Sequence, residues 1–188
     1  VGNWSGVTTQ AHRQAVIWSD ETIEWIDMPG CHDLNRATSD ALDVQIACQL
    51  LDTEPFDCVV HVVDATALLR HLYMTMQLIE MQLPVVVVLN KMDQVHARGN
   101  RIHCRTLQET LGCPVVETVA HRRTGLDALE AVLKAQLSGC RSLCDLGRSD
   151  VPRWVYPPAL ESAITTLTQA SSIPISRWHA LALCELDV

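Results

Sequence analysis

The feature that most constrains this chain is a continuous apolar run, Pro84-Val85-Val86-Val87-Val88-Leu89, that ends directly in Asn90-Lys91-Met92-Asp93. A short, β-branched stretch without polar alternation fits a strand buried on both faces of a parallel sheet. In open α/β sheets, ligands bind beyond the C-terminal strand ends, which is where this polar tetrad falls. Its residue types suit guanine. A carboxylate such as Asp93 can accept from the ring N1–H and the exocyclic N2 amine together, and adenine offers neither donor at that edge. Asn90 and Lys91 would hold the loop and cover the base. Lys91 and Lys134 are the only lysines in the chain, so a lysine here by chance is less expected than usual. The alternative for the tetrad alone is an ordinary polar loop after a strand.

A second element favours the nucleotide. Asp27-Met28-Pro29-Gly30 fits DxxG and ends another strand-like run, Thr22-Ile23-Glu24-Trp25-Ile26. In nucleotide switches an Asp at such a strand end holds Mg²⁺, usually through water, and the Gly N–H reaches the terminal phosphate. DxxG alone is frequent in ordinary turns. DxxG followed, after a strand–helix unit, by a strand and NKxD is a far more specific order, and it implies a GTP-binding domain.

The remaining periodicity agrees with a mostly parallel α/β sheet. Residues 15–18 and 22–26 read as a hairpin around Ser19-Asp20-Glu21, and residues 57–64 as a buried strand. Leu72, Met76, Ile79 and Leu83 recur at helical spacing, residues 105–111 suggest a short helix, and residues 113–119 another strand. Thr124-x-x-Asp127 resembles a capping box opening a helix with Leu126, Leu129, Leu133 and Leu137 on one face. Gly139, Gly147, Pro152, Pro157 and Pro158 then interrupt the pattern before helical stretches at 159–170 and 175–185. The expected division is a nucleotide domain over 1–138, a connection over 139–158, and the start of a helical domain over 159–188.

Composition narrows the partners. Net charge is −8 with no basic stripe, which argues against nucleic acid. The apolar runs fall well short of the roughly 18–20 residues a membrane span needs. Eight cysteines contain no CxxC pair and read as small buried hydrophobes. Cys140-x₃-Cys144 and His103-Cys104 are the alternatives for a soft metal site. His61, in the middle of a strand, reads as a core residue with a partner rather than a ligand.

Val1-Gly2-Asn3-Trp4-Ser5-Gly6-Val7-Thr8 resembles the first switch of the FeoB ferrous iron transporters, whose N-terminal cytoplasmic part is a G domain. The 27–34 region, Gln45-Ile46-Ala47, Val62-Val63-Asp64-Ala65-Thr66, residues 72–78, Leu111-Gly112-Cys113-Pro114-Val115-Val116 and Gly125-Leu126 are similar to the same family. So is the tail, from Tyr156-Pro157-Pro158 through Arg177-Trp178 to Glu185-Leu186-Asp187. The resemblance implies a Ras-like P-loop NTPase G domain, α/β, followed by the start of a small all-helical domain. It implies that Gly6 and Thr8 lie on the nucleotide, with the Thr8 hydroxyl on Mg²⁺ when GTP is bound; Thr9 is the neighbouring competitor. Asp27 would serve the same ion through water, and Gly30 the terminal phosphate. Val119-Ala120-His121 corresponds to the fifth G motif, where the Ala120 N–H would meet the guanine carbonyl; the family more often has Ser at that position.

No GxxxxGK[ST] occurs in the 188 residues, so no glycine-rich loop is present to cradle phosphates. The expectation is a chain lacking the family's first strand, P-loop and first helix, inactive as a GTPase by itself. The alternatives are a pseudo-GTPase interaction domain or a G domain of another type, such as those of ribosome assembly or tRNA modification. Cys31-His32 stands where many GTPases place a glutamine, and Val44 replaces a common acidic residue. By resemblance the whole protein would hydrolyse GTP slowly, with K⁺ activation through switch I. It would sit at the cytoplasmic face of the inner membrane, joined to a downstream transmembrane part, with a homo-oligomer as a further partner.

Overall fold

In the computed structural model, residues 11–18, 21–31, 33–34, 42–138, 154–170 and 175–184 are described. Gly6, Thr8, Thr9, His32, the Cys140/Cys144 pair and the 185–187 tail lie outside them. The chain forms two compact units, Val1–Pro55 and Phe56–Val188.

In the first unit, β1 (His12–Trp18) pairs antiparallel with β2 (Glu21–Asp27), from His12 opposite Asp27 to Trp18 opposite Glu21. Both strands run further than their apolar residues mark, because ladder hydrogen bonds tolerate the polar ends His12, Arg13 and Gln14. The Arg13 guanidinium holds the pair from the side, donating to Glu24 on β2 at 3.3 Å and to the Glu54 carboxylate at 2.6 Å. Beyond, α1 (Leu42–Thr53) buries Val44, Ala47, Cys48 and Leu51, the i, i+3, i+4, i+7 face of an amphipathic helix. Leu34 is buried too, and the Cys48 thiol donates to its carbonyl at 3.3 Å. Val44 is therefore a packing residue at the position where the resemblance implies an acidic one.

The second unit is built on a parallel sheet in the order β3 (Val59–Asp64), β4 (Val85–Asn90), β5 (Val115–Glu117). Central β4 is buried from Val85 to Leu89, as an unbroken apolar run requires. A 3₁₀ turn over Ala65–Ala67 leads from β3 into α2 (Leu68–Glu80). After β4 come α3 (Met92–Ala97) and α4 (Cys104–Leu111). A second 3₁₀ turn, Ala120–Arg122, precedes α5 (Leu126–Leu137), and the described chain closes with α6 (Pro158–Ala170) and α7 (Arg177–Cys184).

Two expectations shift for physical reasons. Helix α2 buries Thr75, Gln77, Leu78 and Ile79; of the 72/76/79/83 stripe Ile79 is buried, Leu72 and Met76 are half-buried, and Leu83 lies past the helix end. It is covered by two layers: its sheet side meets β3 and β4, while Tyr73, Met76 and Glu80 line a cavity of about 340 Å³ with Tyr156, Trp178 and Leu181 of the helical tail. Helix α5 has no capping box. Gly125 occupies its N-cap with φ +81°, and no side chain caps it. Thr124 is instead held in a backbone bridge with Val119, at 3.0 and 3.3 Å.

Arg177 fastens the tail. It grips the Glu161 carboxylate with both terminal nitrogens (2.9 and 2.8 Å), places Nε 3.3 Å from Glu80 on α2, and lies over the Tyr156 ring. These contacts hold Arg177 charged, with the hydrogen bonds to Glu161 as the leading cause. The bidentate fork fixes geometry as well as charge.

Candidate guanine-nucleotide site

The C-terminal end of the β3-β4-β5 sheet gathers Asn90, Lys91, Asp93, Val119, Ala120 and His121. Asn90 ends β4, and its side-chain oxygen is a hub. It accepts from the Lys91 N–H at 2.8 Å and the Ala120 N–H at 3.0 Å, with the Thr118 hydroxyl at 3.5 Å. Backbone donors can be met only by the amide oxygen, which fixes the orientation of the group and leaves its Nδ2 as the donor that would face a base. One side chain thus ties the NKxD turn to the loop after β5.

That loop is pinned from below. The Val119–Thr124 bridge closes it, and Gly125 sits where a Cβ would fall on the Glu117 carbonyl oxygen of β5. Glycine is required there twice over, by the left-handed φ and by the close approach. The Ala120 N–H, expected at the guanine carbonyl, already donates to Asn90. A base carbonyl would have to share it as a second acceptor.

Lys91 stands in the left-handed region, φ +65° and ψ +32°, a conformation that costs a non-glycine residue about 1–2 kcal/mol. It persists because its surroundings over-determine it. Its N–H is fixed by Asn90, its carbonyl accepts from Gln94 N at 3.0 Å, and its ammonium lies 2.6 Å from Asp64 Oδ2. The turn leads into α3, anchored by buried Met92 and Val95, and so aims Asp93.

The Asp93 carboxylate is the site's least satisfied group. Oδ2 lies 3.6 Å from His121 Nε2 and 3.9 Å from Arg122 Nη2, contacts too long for hydrogen bonds. Oδ1 is buried and has no hydrogen-bond partner among the described residues. Such an oxygen needs an explanation, and a ligand carrying N–H donors is one. His121 and Arg122 are well exposed and able to swing aside.

Asp64, the last residue of β3, is a member of this cluster that the motifs alone do not single out. Its Oδ1 accepts from the Thr66 N–H at 2.9 Å and the Thr66 hydroxyl at 2.7 Å. Partial burial works against its ionised form, but the hydrogen bonds from Lys91 and Thr66 outweigh it and hold the carboxyl at about 2. The legible signal was Asp-x-Thr at a strand end, the pattern of a side chain folding back on its own turn.

The other candidates belong to the Val1–Pro55 unit. Asp27 is the exposed last residue of β2, and Gly30 is exposed beyond buried Pro29. No atom lies within 4 Å of where a Gly30 Cβ would stand. Cys31 is raised to about 11, first by burial and then by Cys48 and the nearby acids, so its thiol stays protonated. Cys104, the candidate soft ligand, spends its thiol on Glu117 at 2.8 Å.

Residues 1–133 match the family described as ferrous iron transport protein B. The Fe(2+) transporter FeoB of Salmonella choleraesuis (strain SC-B67) is 31% identical over 191 residues, covering all of this chain and 24% of that protein. The chain therefore spans about a quarter of the length of the curated relatives it matches. The cytosolic domain of L. pneumophila FeoB superimposes with a TM-score of 0.74 at 30% identity, over 96% of this chain and 68% of that one. The mGMPPNP-bound NFeoB of S. thermophilus gives 0.75 at 29% identity, over 97% and 64%.

Proposed function

The chain belongs to the FeoB family of ferrous iron transport proteins, and from that premise we propose that it is the guanine-nucleotide switch of a ferrous iron transporter. The observation that carries this reading is the Asp93 carboxylate, with a buried oxygen lacking a donor, beside the Asn90 hub at the end of β4. Guanine presents two N–H donors on one edge, which is what a two-oxygen acceptor would bind. Asn90 Nδ2 would donate to the ring N7, and Val119-Ala120-His121 would border the base carbonyl.

Asp27 and Thr8 would hold Mg²⁺ and Gly30 the terminal phosphate, with Gly6 beside it on switch I. Asp27 is exposed and so open to a hydrated cation. Mg²⁺ would neutralise phosphate charge during slow GTP hydrolysis in the whole protein, and K⁺ would act beside switch I. Nucleotide state would order the switches and bias the helical tail, whose Arg177–Glu80 contact reaches α2. The division into 1–138, 139–158 and 159–188 is part of this proposal, as are attachment to a membrane-spanning part at the cytoplasmic face and pairing with a second copy. Among the described residues no helix is long and apolar enough to cross a membrane.

The test is Asp93→Asn in the full-length protein. Xanthine carries a carbonyl where guanine has its amine, so an Asn amide can donate to it and still accept from N1–H, whereas a carboxylate cannot donate. Sites built to hydrogen-bond a substrate reject mismatched analogues by as much as ~10⁴–10⁵-fold. Competition binding should show GTP weakened and xanthosine triphosphate gained. An unchanged preference for GTP would overturn the reading.

A further inference from the structure

We propose that Asp64 is a positioning residue for the nucleotide base, acting through Lys91 by fixing the lysine stem across the C-terminal ends of β3 and β4. The proposal rests on the guanine reading above and deepens it. Asp64 and Asn90 are register partners on neighbouring parallel strands, so the residue after Asn90 starts one strand away from the Asp64 carboxylate. The left-handed turn at Lys91 and the 2.6 Å contact at Nζ fix the lysine at both ends. Between them, its four methylenes bridge the two strand ends.

The carboxylate cannot follow a moving lysine, because Thr66 holds its other oxygen with two hydrogen bonds. Both oxygens are thus engaged by protein, so Asp64 is not offered as a metal ligand. Fold stability does not account for the arrangement: the Lys91 side chain is 41% exposed, and such pairs contribute little to stability. What the pair does achieve is loss of rotamer freedom in a long apolar stem before any ligand arrives. A stem so held presents a flat apolar surface to the face of a ring. That contact does not depend on the ring's edge, so Asp64 should affect all purine nucleotides alike, unlike Asp93.

The experiment measures a ribose-labelled fluorescent GDP on the full-length protein, with unlabelled GDP, inosine diphosphate and xanthosine diphosphate as competitors. Asp64→Asn should weaken GDP and inosine diphosphate by the same factor, about five- to tenfold, the scale of ordering one long side chain. Lys91→Met removes the same contact from the lysine end, and should the Asp64 variant fail to fold, Lys91→Met and Thr66→Val carry the test. In a Lys91→Met background Asp64→Asn should have no further effect. An undiminished affinity in Asp64→Asn, or additive losses in the double variant, overturns the proposal even when Asp93→Asn switches base preference. If Asp93→Asn leaves base preference unchanged, the guanine reading falls, and this proposal with it.

Discussion

A neutral imidazole buried between a strand and a helix makes the fold sensitive to mild acid. His61 is 8% exposed on β3, with Nδ1 3.0 Å from the Thr75 hydroxyl, which itself donates to the His71 carbonyl at 3.3 Å. That hydroxyl has one proton and two acceptors in reach, so the pocket fits either tautomer of the neutral imidazole. Burial, then the nearby His71, lower His61 to about 4. The unfolded chain takes up a proton near 6.5 and the folded one only near 4, so stability falls as pH drops through that window. Between pH 7 and pH 5 the loss should be about 2 kcal/mol. Urea melts at the two pH values measure it, and His61→Leu should flatten the difference; an unchanged difference in the variant would assign the acid sensitivity elsewhere.

Among the elements, the short loop between β5 and α5 is the most sharply specified. Gly125→Ala would press a methyl group onto the Glu117 carbonyl and force a left-handed φ on alanine. Together these should destabilise by about 3 kcal/mol and displace Ala120 from Asn90, weakening guanine nucleotides as well. Wild-type stability in Gly125→Ala, read from denaturant unfolding, would show that the loop relaxes freely. The same loop shows where the sequence was readable. Strand β4 could be recognised at once because burial on both faces leaves only apolar residues. The NKxD turn was equally plain, since its chemistry lies in contiguous residues. The capping box at Thr124 was misleading because that residue is held in a bridge to Val119, a non-local fact. The α2 stripe is buried only at Ile79 because a helix covered on two sides has no single apolar face. The Asp64–Lys91 pair lies outside any local pattern, since it depends on the register of β3 against β4.

For the whole molecule, the decisive question is how much of a nucleotide site these residues make. The proposed base end has its residues together: Asn90, Lys91, Asp93 and the Ala120 loop converge on one sheet end. The phosphate end does not, since no glycine-rich phosphate loop occurs in the 188 residues. Most of the affinity of a nucleoside triphosphate site comes from donors around the β- and γ-phosphates, where the ligand's charge is concentrated. Base contacts alone amount to a few hydrogen bonds and one stacked side chain, set against the entropy of capturing a free ligand. The 188-residue chain by itself should therefore bind Mg·GTP only with a dissociation constant of about 1 mM, equivalent to ~4 kcal/mol, and should release no phosphate above the uncatalysed rate. With Asp93 in its proposed role at the base and not at the phosphates, the chain should hold guanosine about as well as GTP. Calorimetric titration with both ligands decides it. Submicromolar, Mg²⁺-dependent binding of GTP would mean that the described elements, rather than a phosphate loop, supply the anion's donors.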